Sequence, residues 1–210
     1  MTQVMTMNKE TKQKGLLVVF SGPSGSGKGT VLKRAMALEP NLELSVSMTT
    51  RAPRDGEIDG VHYIFSTKEN FLSMAENDGF IEWAQFCENC YGTPKAYVES
   101  RLNEGKDVVL EIEVQGALQV RECFPDAVLI FNLPPSMEEL KNRLVGRDTE
   151  SQDVIEKRLA TAVWELSQAE KYDYVIVNDE VEFAAEKLLS ILKGEKCKTA
   201  RNDLLLKNFK

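Results

Sequence analysis

Histidine is nearly absent from this chain: His62 is the only one in 210 residues. A histidine general base or a multi-imidazole zinc set therefore has little to draw on. Cysteine is also scarce. Cys87 and Cys90 make a C-x-x-C pair, but no second pair of ligands accompanies it and the setting of a redox motif is missing. The four cysteines read as free thiols of a reducing compartment. No apolar run approaches the roughly 20 residues that span a bilayer. Residues 1–14 are polar, without the apolar centre of a signal peptide. Both point to a cytoplasmic chain with no membrane partner. Positive charge is not in excess either: 26 Lys and Arg face 33 Asp and Glu, a net charge of −7. That excludes nucleic-acid binding by bulk charge, so any anionic ligand must be held by local clusters. There is no internal repeat and no low-complexity tract.

What is present is ordinary in amount, with 42% hydrophobic and 28% charged residues, enough for one core carrying small inserted lobes. The informative stretch is Gly22-Pro23-Ser24-Gly25-Ser26-Gly27-Lys28-Gly29-Thr30, directly after an apolar run over residues 16–20. A strand, a glycine-rich turn, a lysine and a helix in this order make a phosphate-binding loop. The glycines let successive N–H groups point at a phosphate, the helix adds its positive end, and Lys28 reaches the outer phosphates. The residue after the lysine is Gly29, and the first hydroxyl is that of Thr30. This predicts Mg²⁺ held mainly by nucleotide phosphates and water, with no direct protein ligand.

Strands are predicted over residues 16–20, 42–47, 107–112, 127–132 and 174–177. Helices are predicted over 28–38 (stopped by Pro40), 94–103, 116–123, 137–144 with 151–170, and from 181 to about 192. Alternating strands and helices imply an α/β fold: a parallel β-sheet core flanked by helices. Residues 48–93 differ in character, rich in Gly, Arg, Asp and aromatics, and too long for a plain connection. They predict an inserted mixed α/β lobe, and charge-rich residues 137–165 a small helical lid. The core is then 15–47, 94–136 and 166–192, one domain over 15–192, with terminal extensions 1–14 and 193–210. The last of these reads either as a short docking helix or as disordered.

Three constellations carry further chemistry. Arg51 and Arg54, three apart and followed by Tyr63, can clamp a second phosphate, although an isolated Arg-x-x-Arg also reads as surface charge. Glu82 lies among Phe80, Trp83 and Phe86, ahead of Tyr91-Gly92-Thr93. A carboxylate there can accept the N1–H and 2-amino hydrogens of guanine, whereas adenine offers it a lone pair. Taken alone, Glu82 is equally an exposed strand residue. Arg143, Arg147 and Arg158 in the charged insert suit the charge that spreads over a transferring phosphoryl group. For Arg143 the alternative is an i,i+4 pair on a solvated face.

These blocks, in this order, resemble the guanylate kinase family over roughly residues 16–192. The resemblance implies a reversible transfer from ATP to GMP in purine metabolism, with Mg²⁺ as cofactor. It assigns Lys28 and the loop Gly22–Thr30, with Asn178 and Asp179 near the adenine, to ATP. It assigns Arg51, Arg54, Tyr63 and Tyr91 to the GMP phosphate. Ser47, Glu82 and Thr93 are assigned to guanine, and Glu113 to the neighbourhood of the nucleotide. Arg143, Arg147 and Arg158 become lid arginines, catalytic together with Lys28 and Arg51. A non-catalytic interaction module of the same fold is the alternative, but it would be expected to have an eroded phosphate loop. A GTPase is opposed by the missing Asn-Lys-x-Asp motif.

Overall fold

The computed structural model describes residues 13–145, 152–207 and 209. The chain opens with β1 (Leu17–Ser21), α1 (Lys28–Leu38), β2 (Leu42–Leu44), β3 (Met48–Thr49), β4 (Ile64–Phe65) and α2 (Lys68–Glu76). Next come β5 (Phe80–Phe86), β6 (Asn89–Pro94), α3 (Lys95–Asn103), β7 (Asp107–Glu111), α4 (Val114–Cys123) and β8 (Val128–Leu133). It closes with α5 (Met137–Val145), α6 (Gln152–Ser167), β9 (Tyr174–Val177), α7 (Val181–Lys196) and α8 (Asp203–Lys207).

The main sheet has the order β2-β7-β1-β8-β9, and all of its pairs are parallel. β1 is central and buried at every residue, which is why its sequence is an unbroken apolar run rather than an alternating one. Val18, Phe20 and Ile130 pack on one face against Val31 and Leu32 of α1 and Leu188 of α7. Val19, Leu110 and Leu129 pack on the other against Val98 of α3 and Ala117 and Val120 of α4. The expected parallel α/β core with flanking helices is the fold.

The run expected as one strand over 42–47 is split between two sheets. β2 ends at Leu44, Ser45 N–H still reaches Val109 O at 2.9 Å, and the chain then turns so that Met48 and Thr49 join a second sheet. That sheet has the order β4-β3-β6-β5. Its β5–β6 hairpin turns at Cys87, whose φ of 54° is left-handed. It has a small core of its own, with Phe71 of α2 stacked on Phe80 at 4.4 Å between centroids and Cys90 beside them. Thr67 caps α2 by accepting the Asn70 N–H.

α5 and α6 pack through Leu140, Leu144, Leu159 and Ala162. Gly25 lies against this pair: a Cβ on it would sit 3.1 Å from Leu144 Cδ2. α7 runs four residues past its expected end. Lys196, in its last turn, lies 2.6 Å from buried Asp107, whose other oxygen accepts the Leu16 N–H that leads into β1. Arg201 donates to Lys14 O and Gly15 O, tying the C-terminal residues to the same strand entrance. All four cysteines are free, Cys90 buried and the others exposed. Among the described residues no helix is long and apolar enough to cross a membrane.

Candidate active site

Between β1 and α1 the chain makes a glycine-rich turn with φ of 143° at Gly22, 89° at Gly25 and 85° at Gly27. These values favour glycine. At Gly22 close packing adds to this, because a Cβ would meet Asn132 O at 2.3 Å. Lys28 begins α1 and folds back over the turn, donating to Gly22 O at 2.6 Å and Pro23 O at 3.3 Å. Burial lowers its pKa, while the carboxylates of Glu111, Glu165 and Glu113 act the other way. Burial likewise raises the pKa of Glu111 and of Glu165, with Lys28 opposing both rises.

A cleft of about 700 Å³ opens over this turn. Ser24, Gly25, Gly27, Lys28, Gly29, Thr30, Asn178 and Asp179 line it, with Arg143 and Glu111. Of the other expected loop residues, Gly22, Pro23 and Ser26 are buried beneath. Arg143 makes the i,i+4 pair with Glu139 at 2.8 Å and also reaches Ser26 O at 3.5 Å, so the pair does not hold it away from the loop cleft. Arg158 of α6 donates to Ser24 Oγ at 2.8 Å. Arg147 lies outside the described residues.

A second cleft of about 540 Å³ lies between the two sheets. Ser47, Tyr63, Glu82, Tyr91 and Glu113 line it, together with Ser45, His62, Gln115 and Gly116. Thr93 does not reach the lining. It is fully buried behind Glu82 and donates its hydroxyl to Glu82 Oε1 at 2.7 Å. Gly116 in the first turn of α4 lets the helix start lie against the same carboxylate, since a Cβ there would be 3.1 Å from Glu82 Oε2. Burial raises the pKa of Glu82 against the pull of the Thr93 hydrogen bonds, and Glu113 adds to the rise.

Arg51 and Arg54 are not themselves lining residues of this cleft, but Arg51 lies against two that are, Tyr63 and Tyr91. Arg51 donates from Nη2 to both carboxylate oxygens of Glu57, at 2.8 and 3.0 Å, and its guanidinium carbon lies 5.5 Å from the Tyr63 ring centroid. Glu57 also accepts the Arg54 N–H at 2.8 Å, while the Arg54 side chain is exposed. The sequence reading did not single out Glu57, six residues beyond Arg51. It also passed over Glu111, Glu165 and Asn132, although a lone Asn in the apolar run Val-Leu-Ile-Phe-Asn-Leu was a visible signal.

Lys28 and Glu111 line both clefts. A phosphate loop floors one cleft and a carboxylate-bearing pocket opens from the other side of the same lysine. This arrangement, on a parallel α/β sheet, is that of a P-loop phosphotransferase. Known proteins narrow the class. The family model described as guanylate kinase matches residues 14–195. A guanylate kinase of Caldanaerobacter subterraneus subsp. tengcongensis is 54% identical over 197 residues, 93% of this chain and 96% of that protein. One from Clostridioides difficile is 50% identical over 199 residues, 94% of this chain and 97% of its own length. The crystal structure of guanylate kinase from Anaplasma phagocytophilum superposes with a TM-score of 0.73 at 37% identity, covering 94% of this chain and 97% of that one. The chain belongs to the guanylate kinase family.

Proposed function

We propose that this member of the guanylate kinase family moves the γ-phosphoryl group of ATP to GMP by direct in-line transfer, giving ADP and GDP in the cytoplasm. The observation that carries the mechanism is the position of Lys28 and Glu111 on the shared wall of the two clefts. ATP would lie with its phosphates over the Gly22–Thr30 turn, and Lys28 Nζ would exchange the carbonyls of Gly22 and Pro23 for phosphate oxygens. Its desolvation strengthens that attraction.

GMP would place its base against Glu82, which accepts from N1–H and the 2-amino group. Thr93 fixes the orientation of that carboxylate from behind. Ser47, Tyr63, Tyr91 and Glu113 complete the lining. The GMP phosphate would compete with Glu57 for Arg51 and engage Arg54, which brings both arginines to the site on binding. That phosphate is the nucleophile. Its second pKa of about 6 leaves it mostly dianionic at neutral pH, so transfer requires no general base. Arg143 and Arg158, already in contact with the loop at Ser26 and Ser24, neutralise charge on the transferring group, with Arg147 as a third lid arginine.

The oxygen-rich wall suits Mg²⁺. Gly29 leaves the Glu111 carboxylate 3.6 Å from the point a side-chain Cβ would take, and the Thr30 hydroxyl is on the same cleft. Glu111 would hold the hydrated ion while nucleotide phosphates supply most of its ligands. When bound, the ion neutralises phosphate charge and helps align the two nucleotides.

The test is an ADP-release assay with Mg·ATP against GMP, AMP, CMP and UMP. Turnover confined to guanine acceptors is the expected result. Equal turnover with AMP would remove Glu82 from base selection, and no turnover from folded protein would overturn the proposal.

A further inference from the structure

We infer that Asn132 is a positioning residue of the donor site, and that Asn178 acts with it on the Ser26 carbonyl. This rests on the reading of the loop cleft as the ATP seat. β8 outruns β1: their last paired residues are Ser21 and Phe131, and Asn132 pairs only outward, with Ile176 of β9. The overhang places Asn132 under the phosphate loop, with 0% of its surface exposed. A carboxamide is costly to bury unless it is hydrogen-bonded. Asn132 Nδ2 donates to Ser26 O at 2.9 Å and Ser26 Oγ at 3.1 Å. Its own backbone oxygen is the atom that fits only glycine at position 22. One residue thus touches both ends of the turn.

Asn178 reaches the same carbonyl from the start of the β9–α7 connection, with Nδ2 2.8 Å from Ser26 O. Its amide nitrogen would lie 2.5 Å from a Cβ on Gly27. Arg143 adds a third, longer contact at 3.5 Å. In a trans peptide the C=O and the following N–H point in opposite directions. Pinning Ser26 O towards β8 and β9 therefore turns the Gly27 N–H away from them, where it has no backbone acceptor among the described residues. An N–H so presented favours an anion, and a carbonyl so retained keeps its negative end off the phosphates. Neither asparagine needs to touch nucleotide to do this, and the effect is blind to the base.

The experiment compares Asn132→Leu and Asn178→Leu with wild type. It measures KM for ATP, GTP and CTP as donors, KM for GMP, melting temperature, and calorimetric binding of tripolyphosphate. Asn132→Leu is expected to raise KM for ATP about tenfold and to weaken tripolyphosphate by a similar factor, with KM for GMP changed less than about twofold. Asn178→Leu is expected to weaken all three donors and tripolyphosphate. Asn132→Ser, too short to reach Ser26, repeats the test should the leucine variant fail to fold.

A fall in melting temperature with donor KM and tripolyphosphate binding unchanged would make Asn132 a packing residue and overturn the inference. Unchanged tripolyphosphate binding in Asn178→Leu would remove Asn178 from the support of the loop. If wild type fails to phosphorylate GMP yet loses tripolyphosphate binding on Asn132 substitution, the acceptor assignment falls and this inference stands.

Discussion

Thr93 donates its hydroxyl hydrogen to Oε1 of Glu82 across the β5–β6 hairpin, at 2.7 Å, beside the bulge between Phe80 and Trp83. The bond commits one carboxylate oxygen to a fixed direction on the wall of the cleft between the two sheets. Thr93→Val keeps the volume and removes the donor. It is expected to raise KM for GMP about threefold to tenfold and to leave KM for ATP unchanged, the loss of a hydrogen bond to a charged group. Steady-state kinetics with each substrate varied in turn checks it.

The same carboxylate opposes folding when ionised. Burial raises its folded pKa above that of the unfolded chain, so the folded state holds the proton more tightly. Its contribution to stability falls as pH rises through the interval between the unfolded and the raised folded values, and stays lower above it. Glu82→Gln is therefore expected to melt higher than wild type at neutral pH, with the advantage shrinking in acid. GMP binding weakens at least about tenfold, because an amide offers guanine one acceptor instead of two. Melting curves at two pH values, paired with calorimetry of GMP, measure both arms.

Lys28→Ala removes the cation between the clefts. A fall in kcat of at least about a hundredfold is expected, with GMP affinity within about twofold of wild type. Rapid-quench turnover and equilibrium GMP binding separate the two quantities. Near wild-type turnover would remove Lys28 from the transfer step.

Lys196 lies 2.6 Å from Asp107, which is 1% exposed. Lys196→Met leaves that carboxylate with the Leu16 N–H as its remaining partner. Because the lysine is partly in water, the expected loss is about 1–3 kcal/mol, below the full cost of breaking a buried pair. Denaturant titration checks it, and kcat of the folded fraction is expected to be unchanged.

The parallel core was legible because β1, β7 and β8 are short apolar runs bounded by turns, and the phosphate loop because its glycines and lysine are contiguous. The second sheet was harder to read. β3 and β4 have two residues each, too few for a period to appear. The hairpin turn carries Cys87 in a left-handed conformation where Gly or Asn would have announced it. Ser45–Ser47 looked like the end of a strand because the change of sheet leaves no compositional mark. Within the site, Glu82 could be proposed as a base-reading carboxylate from its aromatic setting, but its link to Thr93 is a cross-strand relation that pairing alone reveals. Glu111 was hidden at the end of an apolar strand. The Arg51–Glu57 pair depends on a loop folding back over six residues, which no regular spacing encodes.

β1 is the earliest strand among the described residues and the central one in its sheet. Its parallel partners lie far downstream, and the Leu16–Asp107 bond alone closes a span of 91 residues. Contacts of such long range are slow to form. On a ribosome, the nucleotide-gripping turn would emerge long before the wall that shapes it. Until β8 arrives with Asn132, the Ser26 carbonyl has no floor beneath it. Competence to bind ATP is thus a late event in the making of this chain, although the motif that names it is synthesised well before β8.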